Sequence, residues 1–308
     1  MAIIDEIKRK YKTGSIVFKL IFINTGVFLF VNIVELILFL ANLKGQISFS
    51  LDQYLAVPSN LHTLMFRPWT LITYMFLHYD FWHILFNMLW LFWFGQIFLQ
   101  FLDPKRLLNV YLLGGISGAA LYITSFNLLP VFQESVSYSY ALGASASVYA
   151  IVISISAFVP DYSIGLLFIG RVKLKYIALF VLILDIISIA QGNAGGHIAH
   201  LGGAIFGYYF AVRMKKGKDI TKGFSAFMDG LVSIFKPRPK MKVSSSKFRA
   251  SKKDTGSDYK KPSSDSDYNR QKADEQAEID RILDKISKYG YDNLTKEEKN
   301  TLFNQKKK

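Results

Sequence analysis

The chain of 308 residues is 51% apolar and 19% charged, has no cysteine and carries a formal net charge of +14. Long charge-free apolar runs exclude an ordinary soluble globular protein, and the lack of cysteine excludes disulfides, thiol nucleophiles and Cys-ligated zinc. The charge is unevenly shared: residues 1–214 hold 13 Lys/Arg and 9 Asp/Glu, whereas 215–308 hold the remaining 24 and 14.

Residues 1–15, with Lys8, Arg9, Lys10 and Lys12, are too charged for a cleaved signal peptide and are expected to stay attached as a cytoplasmic segment. A membrane domain is expected over 16–214. Apolar runs near 18–43, 80–102, 107–126, 141–159, 174–191 and 196–213 predict six spans of an all-α bundle, each crossing about 30 Å of hydrocarbon. Between the first two, residues 44–79 suit an interfacial segment with Leu61, Leu64, Met65, Phe66 and Trp69. The fourth helix starts near Gly143 and must end before Pro160, giving about 25 Å of rise and a start sunk below the outer surface. Lys105 and Arg106 join spans two and three, and Arg171, Lys173 and Lys175 join spans four and five. Arg213, Lys215, Lys216 and Lys218 follow span six. The alternate connections hold only Lys44 and Arg67, so the positive-inside rule places both termini in the cytoplasm.

The tail reads as a basic flexible linker over 215–273 and a small helical module over 274–308. Ile279, Ile282, Leu283 and Ile286 lie on one helical face, Gly290 is a stop, and Thr295-Lys296-Glu297-Glu298 is a capping box for a second short helix. The linker can serve as a solvated spacer or adhere to anionic lipid, and the module can dock a cytoplasmic protein.

Polar residues inside spans need partners or water. Glu35 and Asp185 are lone carboxylates on different spans, read as interhelical hydrogen-bonders or cavity-lining groups, with an ion path the sharper alternative. Asp185 is expected to lie well into span five, too deep to be a triad aspartate. In span two, His83 and Asn87 share a face, which fits either interhelical hydrogen bonding or a pair of donors. In span four, Gly143-Ala144-Ser145-Ala146-Ser147 is either a close-packing run or a serine at a helix N-terminus. There the free N–H groups and the positive end of the dipole suit an oxyanion. Ser145 and Ser147 lie about 160° apart around the helix, so only one faces a given partner. In span six, Gly196, His200, Gly203 and Gly207 form one stripe that sets His200 in a glycine seam, with His197 about 60° aside as a mouth residue.

In the expected orientation His83, Ser145 and His200 share a depth near the outer face. A serine beside a histidine can be a nucleophile with its general base, with His83, Asn87 and the Ser145 N–H as oxyanion donors. With no acidic third member evident, a Ser–His dyad is the economical reading. Tyr149, one turn after Ser145, either packs on the imidazole or is an ordinary packed tyrosine.

These residues, His83-x-x-x-Asn87, Gly143-x-Ser145 and Ala199-His200-x-x-Gly203-x-x-x-Gly207, in this order over about 16–214, resemble the rhomboid family of intramembrane serine proteases. The resemblance implies that Ser145 is the nucleophile, His200 the base, His83 and Asn87 oxyanion donors and Tyr149 a support for His200. Gly143, Gly203 and Gly207 are read as close-packing positions. It further implies cleavage of a peptide bond in or beside a transmembrane helix of a substrate membrane protein, within the bilayer, here expected to be a bacterial inner membrane. No metal, cofactor or nucleic acid is expected. Departures from the family pattern are Ala146 where Gly often follows the nucleophile, Arg67-Pro68-Trp69 in place of Trp-Arg, and Gln100 where an acidic residue is usual. A catalytically silent rhomboid-like protein that binds transmembrane helices is the alternative function, and a transporter a third.

Overall fold

The computed structural model describes residues 13–43, 51–166, 170–235 and 265–305, divided between two compact units, Met1–Pro239 and Lys240–Lys308. The first unit contains α1 (Ile16–Leu40), α2 (Phe81–Phe101), α3 (Pro104–Leu128), α4 (Ser145–Phe158), α5 (Leu174–Ser188), α6 (Ala194–Lys215) and α7 (Lys222–Phe235). Three helix starts follow directly from local sequence. Asp80 caps α2 by accepting from the His83 N–H, and Asp103 caps α3 by accepting from the Arg106 N–H with Pro104 in the first turn. Asn193, in left-handed conformation, caps α6 by accepting from the Gly196 N–H.

By length and apolar composition α1, α2, α3 and α5 extended to Gln191 are able to cross a membrane, while α4 is a shorter apolar helix. The outward faces support a lipid environment: Phe30, Ile37 and Leu40 on α1 and Phe180, Ile186 and Ile187 on α5 are all exposed. With 14 residues, α4 rises only about 21 Å. It is the central helix, touching α2, α3, α5 and α6, and is buried from Ala146 to Ser156 except at Tyr149.

Close approach at that centre requires glycine. A Cβ on Gly203 or Gly207 of α6 would lie 2.0 Å from the Ala146 oxygen or 2.3 Å from the Ala150 oxygen, both backbone atoms of α4. From the other side, Gly118 and Gly114 of α3 face the side chains of the same Ala146 and Ala150. Two alanines one turn apart are thus each held between two glycines, the small-residue packing that substitutes in lipid for a hydrophobic driving force.

The connection between α1 and α2 is folded into short helical segments at Leu51–Leu55, Leu61–Phe66 and Thr70–Thr73. It is tied to the bundle by polar contacts. Strand β1 (Val57–Pro58) pairs antiparallel with β2 (Tyr140–Ala141), just before α4. The Ser59 hydroxyl donates to the Val136 and Ser139 carbonyls, the Tyr74 hydroxyl to the Gly115 carbonyl and the Tyr111 hydroxyl to the Met75 carbonyl. Met65 and Phe66 stay exposed, as an interfacial segment requires. At the other end of the bundle, β3 (Ser163–Leu166) and β4 (Gly170–Lys173) form a hairpin in which Lys173 and Lys175 bind Asp161, holding its carboxyl down at about 2.

The stretch expected as flexible linker is partly helical. Phe224, Phe227, Met228 and Leu231 repeat at i, i+3, i+4 and i+7, and form α7; the high charge of the tail as a whole concealed this short apolar face. The start of α3 holds α7 through Asn109 to Ser225 and Lys105 to Asp229, while Arg106 binds Asp219. Burial works to raise the Asp219 pKa, but hydrogen bonds from Thr221 and Arg106 outweigh it and hold the carboxyl below its usual range. Residues 236–264, for which lipid adhesion is an expectation, lie outside the described residues. The second unit contains α8 (Asp265–Tyr289) and α9 (Lys296–Gln305), separated by Gly290 at φ +80°. The capping box forms: the Thr295 N–H donates to Glu298 and the Glu298 N–H to the Thr295 hydroxyl, with Lys285 bound to Glu298.

Gly207→Ala forces a methyl against the α4 backbone and is expected to lower stability by about 1–3 kcal/mol, read as earlier thermal unfolding in detergent. An unchanged midpoint would show that α4 and α6 separate at little cost.

Candidate active site

Ser145 is the first residue of α4, and the first backbone bond into the helix runs from the Val148 N–H to the Ala144 carbonyl. The N–H groups ahead of it are those a helix leaves without internal partners. The two serines of the run are distinguished by position. Ser147 is fully buried toward α3, where a Cβ on Gly115 would meet its hydroxyl at 2.6 Å, whereas Ser145 keeps partial exposure.

Gly143 lies in the turn before α4, closely against the His83 ring of α2. It precedes the helix with φ +128°, where a side chain is strained. Its N–H donates to the Tyr74 carbonyl at 2.9 Å. A Cβ there would lie 3.0 Å from both Cε1 and Nε2 of His83 and 3.4 Å from Ser145 Oγ. The imidazole of α2 and the hydroxyl of α4 therefore border the same glycine. Asn87, one turn further along α2, is nearly buried and donates one amide hydrogen to the His83 carbonyl at 2.8 Å, leaving a second. With Phe86, Trp90, Val148 and Tyr149 it lines a cavity of about 210 Å³.

His200 reaches the site from α6. Its ring stacks on Tyr149 with centroids 4.5 Å apart and planes inclined by 14°. Tyr149 is one turn after Ser145 on α4, so stacking brings the imidazole to the face of the helix that carries the serine. His200 lies within electrostatic reach of His83, so α2 and α6 approach each other here. Gly203, one turn after Ala199, permits this approach.

Two residues beyond the sequence reading border this group. His78, buried in the loop before α2, packs edge-on against His83 at 5.0 Å between centroids. Asp185 is the larger correction. The helical turn of α5 ends at Ser188 and not at the end of the apolar run, so Asp185 is only one turn from the helix end. Its carboxylate, 3% exposed, has Oδ1 at 2.6 Å from His197 Nδ1 and 3.0 Å from His200 Nδ1. His197 lies in the first turn of α6 and not in a loop. Among the described residues, Asp185, His197 and His200 are the one group whose ligand atoms, all within 4.8 Å of one another, could hold a metal. The hydrogen bonds between them already engage both Nδ1 atoms. The Ala146 methyl, at the position after the serine, fits because Gly118 faces it, and Gln100 accepts a hydrogen bond from Tyr162.

A model of the Rhomboid domain matches residues 66–216, and a family of unknown function (DUF6576) matches 263–305. RHOMBOID-like protein 12, mitochondrial, of Arabidopsis thaliana is 33% identical over 161 residues, 49% of this chain and 48% of that protein. Rhomboid-like protein 16, chloroplastic, of the same plant is 27% identical over 184 residues, 56% of this chain and 54% of that protein. The chain spans about half the length of the curated relatives it matches. Residues 66–216 of this integral membrane chain are thus a Rhomboid domain, and it takes in the helices that carry His83, Ser145 and His200.

Proposed function

We propose that the protein is an intramembrane serine endopeptidase that hydrolyses a peptide bond in or beside a transmembrane helix of a substrate membrane protein. The observation that carries this reading is the His200 ring lying flat on Tyr149, one turn along α4 from Ser145. In the reaction Ser145 Oγ bonds to the scissile carbonyl carbon, its proton passes to His200, and the carbonyl π pair moves onto oxygen. The N–H groups at the start of α4, with the second amide hydrogen of Asn87 and the imidazole of His83, supply donors to that oxygen. Collapse breaks the C–N bond, and His200 returns the proton to the leaving amine. Water, activated by the same imidazole, then hydrolyses the acyl ester.

Two features fit this chemistry to lipid. A cleft of about 950 Å³ opens between α2 and α5, lined by Trp90, Trp93, Ile97, Ile177, Phe180 and Leu184, and offers an apolar helix a lateral approach. The six helices α1–α6 are read as six spans. The basic residues Lys105, Arg106, Arg171, Lys173 and Arg213 lie at or near the helix ends away from Ser145, which supports a cytoplasmic position for that end and for both termini. The chain divides as an N-terminal segment, the membrane protease, a connecting region containing α7, and the helical module.

In detergent, wild-type protein is expected to cleave a transmembrane reporter and to be labelled by a fluorophosphonate at Ser145, and Ser145→Ala and His200→Ala to do neither. Undiminished cleavage by either folded variant removes the Ser145–His200 assignment, and wild-type protein that binds the reporter without cleaving it leaves a helix-binding role. Asn87→Ala should lower kcat by about 10²–10³-fold, the cost of one oxyanion donor, with KM little altered; an effect confined to KM would return Asn87 to packing. Truncation after Pro239 should retain cleavage, and complete loss from a folded truncation would place the module in the working enzyme.

A further inference from the structure

The Asp185 carboxylate is costly where it stands. An ionised group this deeply buried loses its hydration and needs partners that replace the water, and it lies on a helix whose other residues are largely exposed and apolar. A simple link between the ends of α5 and α6 needs only a neutral side chain. What a carboxylate adds is specific to imidazole: an ionised carboxylate has acceptors only, so the Nδ1 atoms it meets must carry hydrogen. The oxygen that contacts His200 Nδ1 at 3.0 Å thus fixes that ring as the Nδ1–H tautomer and leaves the Nε2 lone pair for a proton. Tyr149 clamps the ring face and also borders the same carboxylate, so the imidazole is fixed both in plane and in rotation. His197 donates to the same oxygen at 2.6 Å from the preceding turn, and its ring stands edge-on to His200 at 5.8 Å, holding Oδ1 in place.

We propose that Asp185 is the positioning carboxylate of His200, so that the site works as Ser145–His200–Asp185 with His197 steadying the carboxylate. This rests on the reading of Ser145 as nucleophile and His200 as base. Asp185 stays ionised throughout: as His200 takes the Ser145 proton on Nε2, the Nδ1–H remains bonded to Asp185, and the imidazolium forms against a fixed negative charge.

The full-length protein tests this in two measurements. In steady-state cleavage of a transmembrane reporter, Asp185→Asn is expected to lower kcat by about 10²-fold or more with KM within about twofold, since a correctly oriented base acts on the chemical step. Asp185→Glu, which keeps the carboxylate, is expected to recover part of that loss. In nitrogen-15 histidine spectra of the wild-type protein, His200 should show a strongly downfield Nδ1 proton, assigned by its loss in His200→Gln and absent in Asp185→Asn. Detection of that proton in the wild-type protein does not depend on the folding of Asp185→Asn. A folded Asp185→Asn with kcat within about threefold of wild type, or an active wild type whose His200 Nδ1 bears no proton, would overturn the proposal. Cleavage that persists in Ser145→Ala defeats instead the reading on which it rests, and the spectra then report the Asp185–His200 bond on its own.

Discussion

Every polar contact of the site depends on how closely three helix backbones approach one another. Gly203 and Gly207 of α6 lie on the carbonyl side of Ala146 and Ala150, and Gly118 and Gly114 of α3 lie on their methyl side. Since the four glycines and two alanines all repeat at four-residue spacing, they sustain contact over a full turn of each helix. Lipid tails are as apolar as the side chains they would surround, so packing must supply what the hydrophobic effect supplies in water. The contact also sets the register of the site. With Gly203 fixed against Ala146, His200 is carried to Tyr149, and Ser145 stands at the edge of the same contact.

The second layer of order is polar, and it operates at the ends of the helices. On the Ser145 side, the loop between α1 and α2 is fixed by the β1–β2 pair and by bonds from Tyr74, Tyr111 and Ser59 to backbone carbonyls. These bonds satisfy irregular backbone, which is tolerated at membrane depth only when buried in protein. Through the Gly143 N–H to the Tyr74 carbonyl, the same loop fixes the turn that delivers Ser145. On the opposite side, ion pairs of Arg106 with Asp219 and Lys105 with Asp229 hold α7 to the start of α3. The exposed Lys105–Asp229 pair adds little stability singly, but together the two pairs specify where the chain leaves the bundle.

The sequence makes some of this legible and conceals the rest for identifiable reasons. Charge-free apolar runs locate α1–α6 because a membrane imposes length and composition together. His83, Ser145 and His200 stand out because polar side chains are rare in such runs. Helix ends are harder to read, and the misreadings lie there. Apolar residues continue to Ala190, yet α5 gives way after Ser188 to a tighter turn and a left-handed Asn193, which brings Asp185 to the end of its helix. The turn at Gly143 is hidden because small residues serve both packing and turns. The apolar face of α7 spans only two turns within a strongly charged tail, so composition masked a pattern that residue spacing reveals. His78 carries no local signal, because its meeting with His83 depends on the folded loop.

A serine reacts in lipid only if water, charge and backbone donors can be held together in one place. On the proposed reading of α4 as a span, its shortness addresses all three: about 21 Å of helix cannot fill about 30 Å of hydrocarbon, so its N-terminus is recessed under the loop between α1 and α2. Recession places unpaired N–H groups and the positive end of the dipole beside Ser145, where low dielectric strengthens them toward a developing oxyanion. Polar residues are tolerated there because they meet polar neighbours: His83 borders Gly143 beside Ser145, and Asp185 is hydrogen-bonded to His200. A longer α4 would carry the serine out to water and leave those groups without a common depth. The packing of Gly203 on Ala146 is therefore inseparable from the chemistry proposed for Ser145: the contact that holds α6 against α4 also fixes how far below the surface the helix begins.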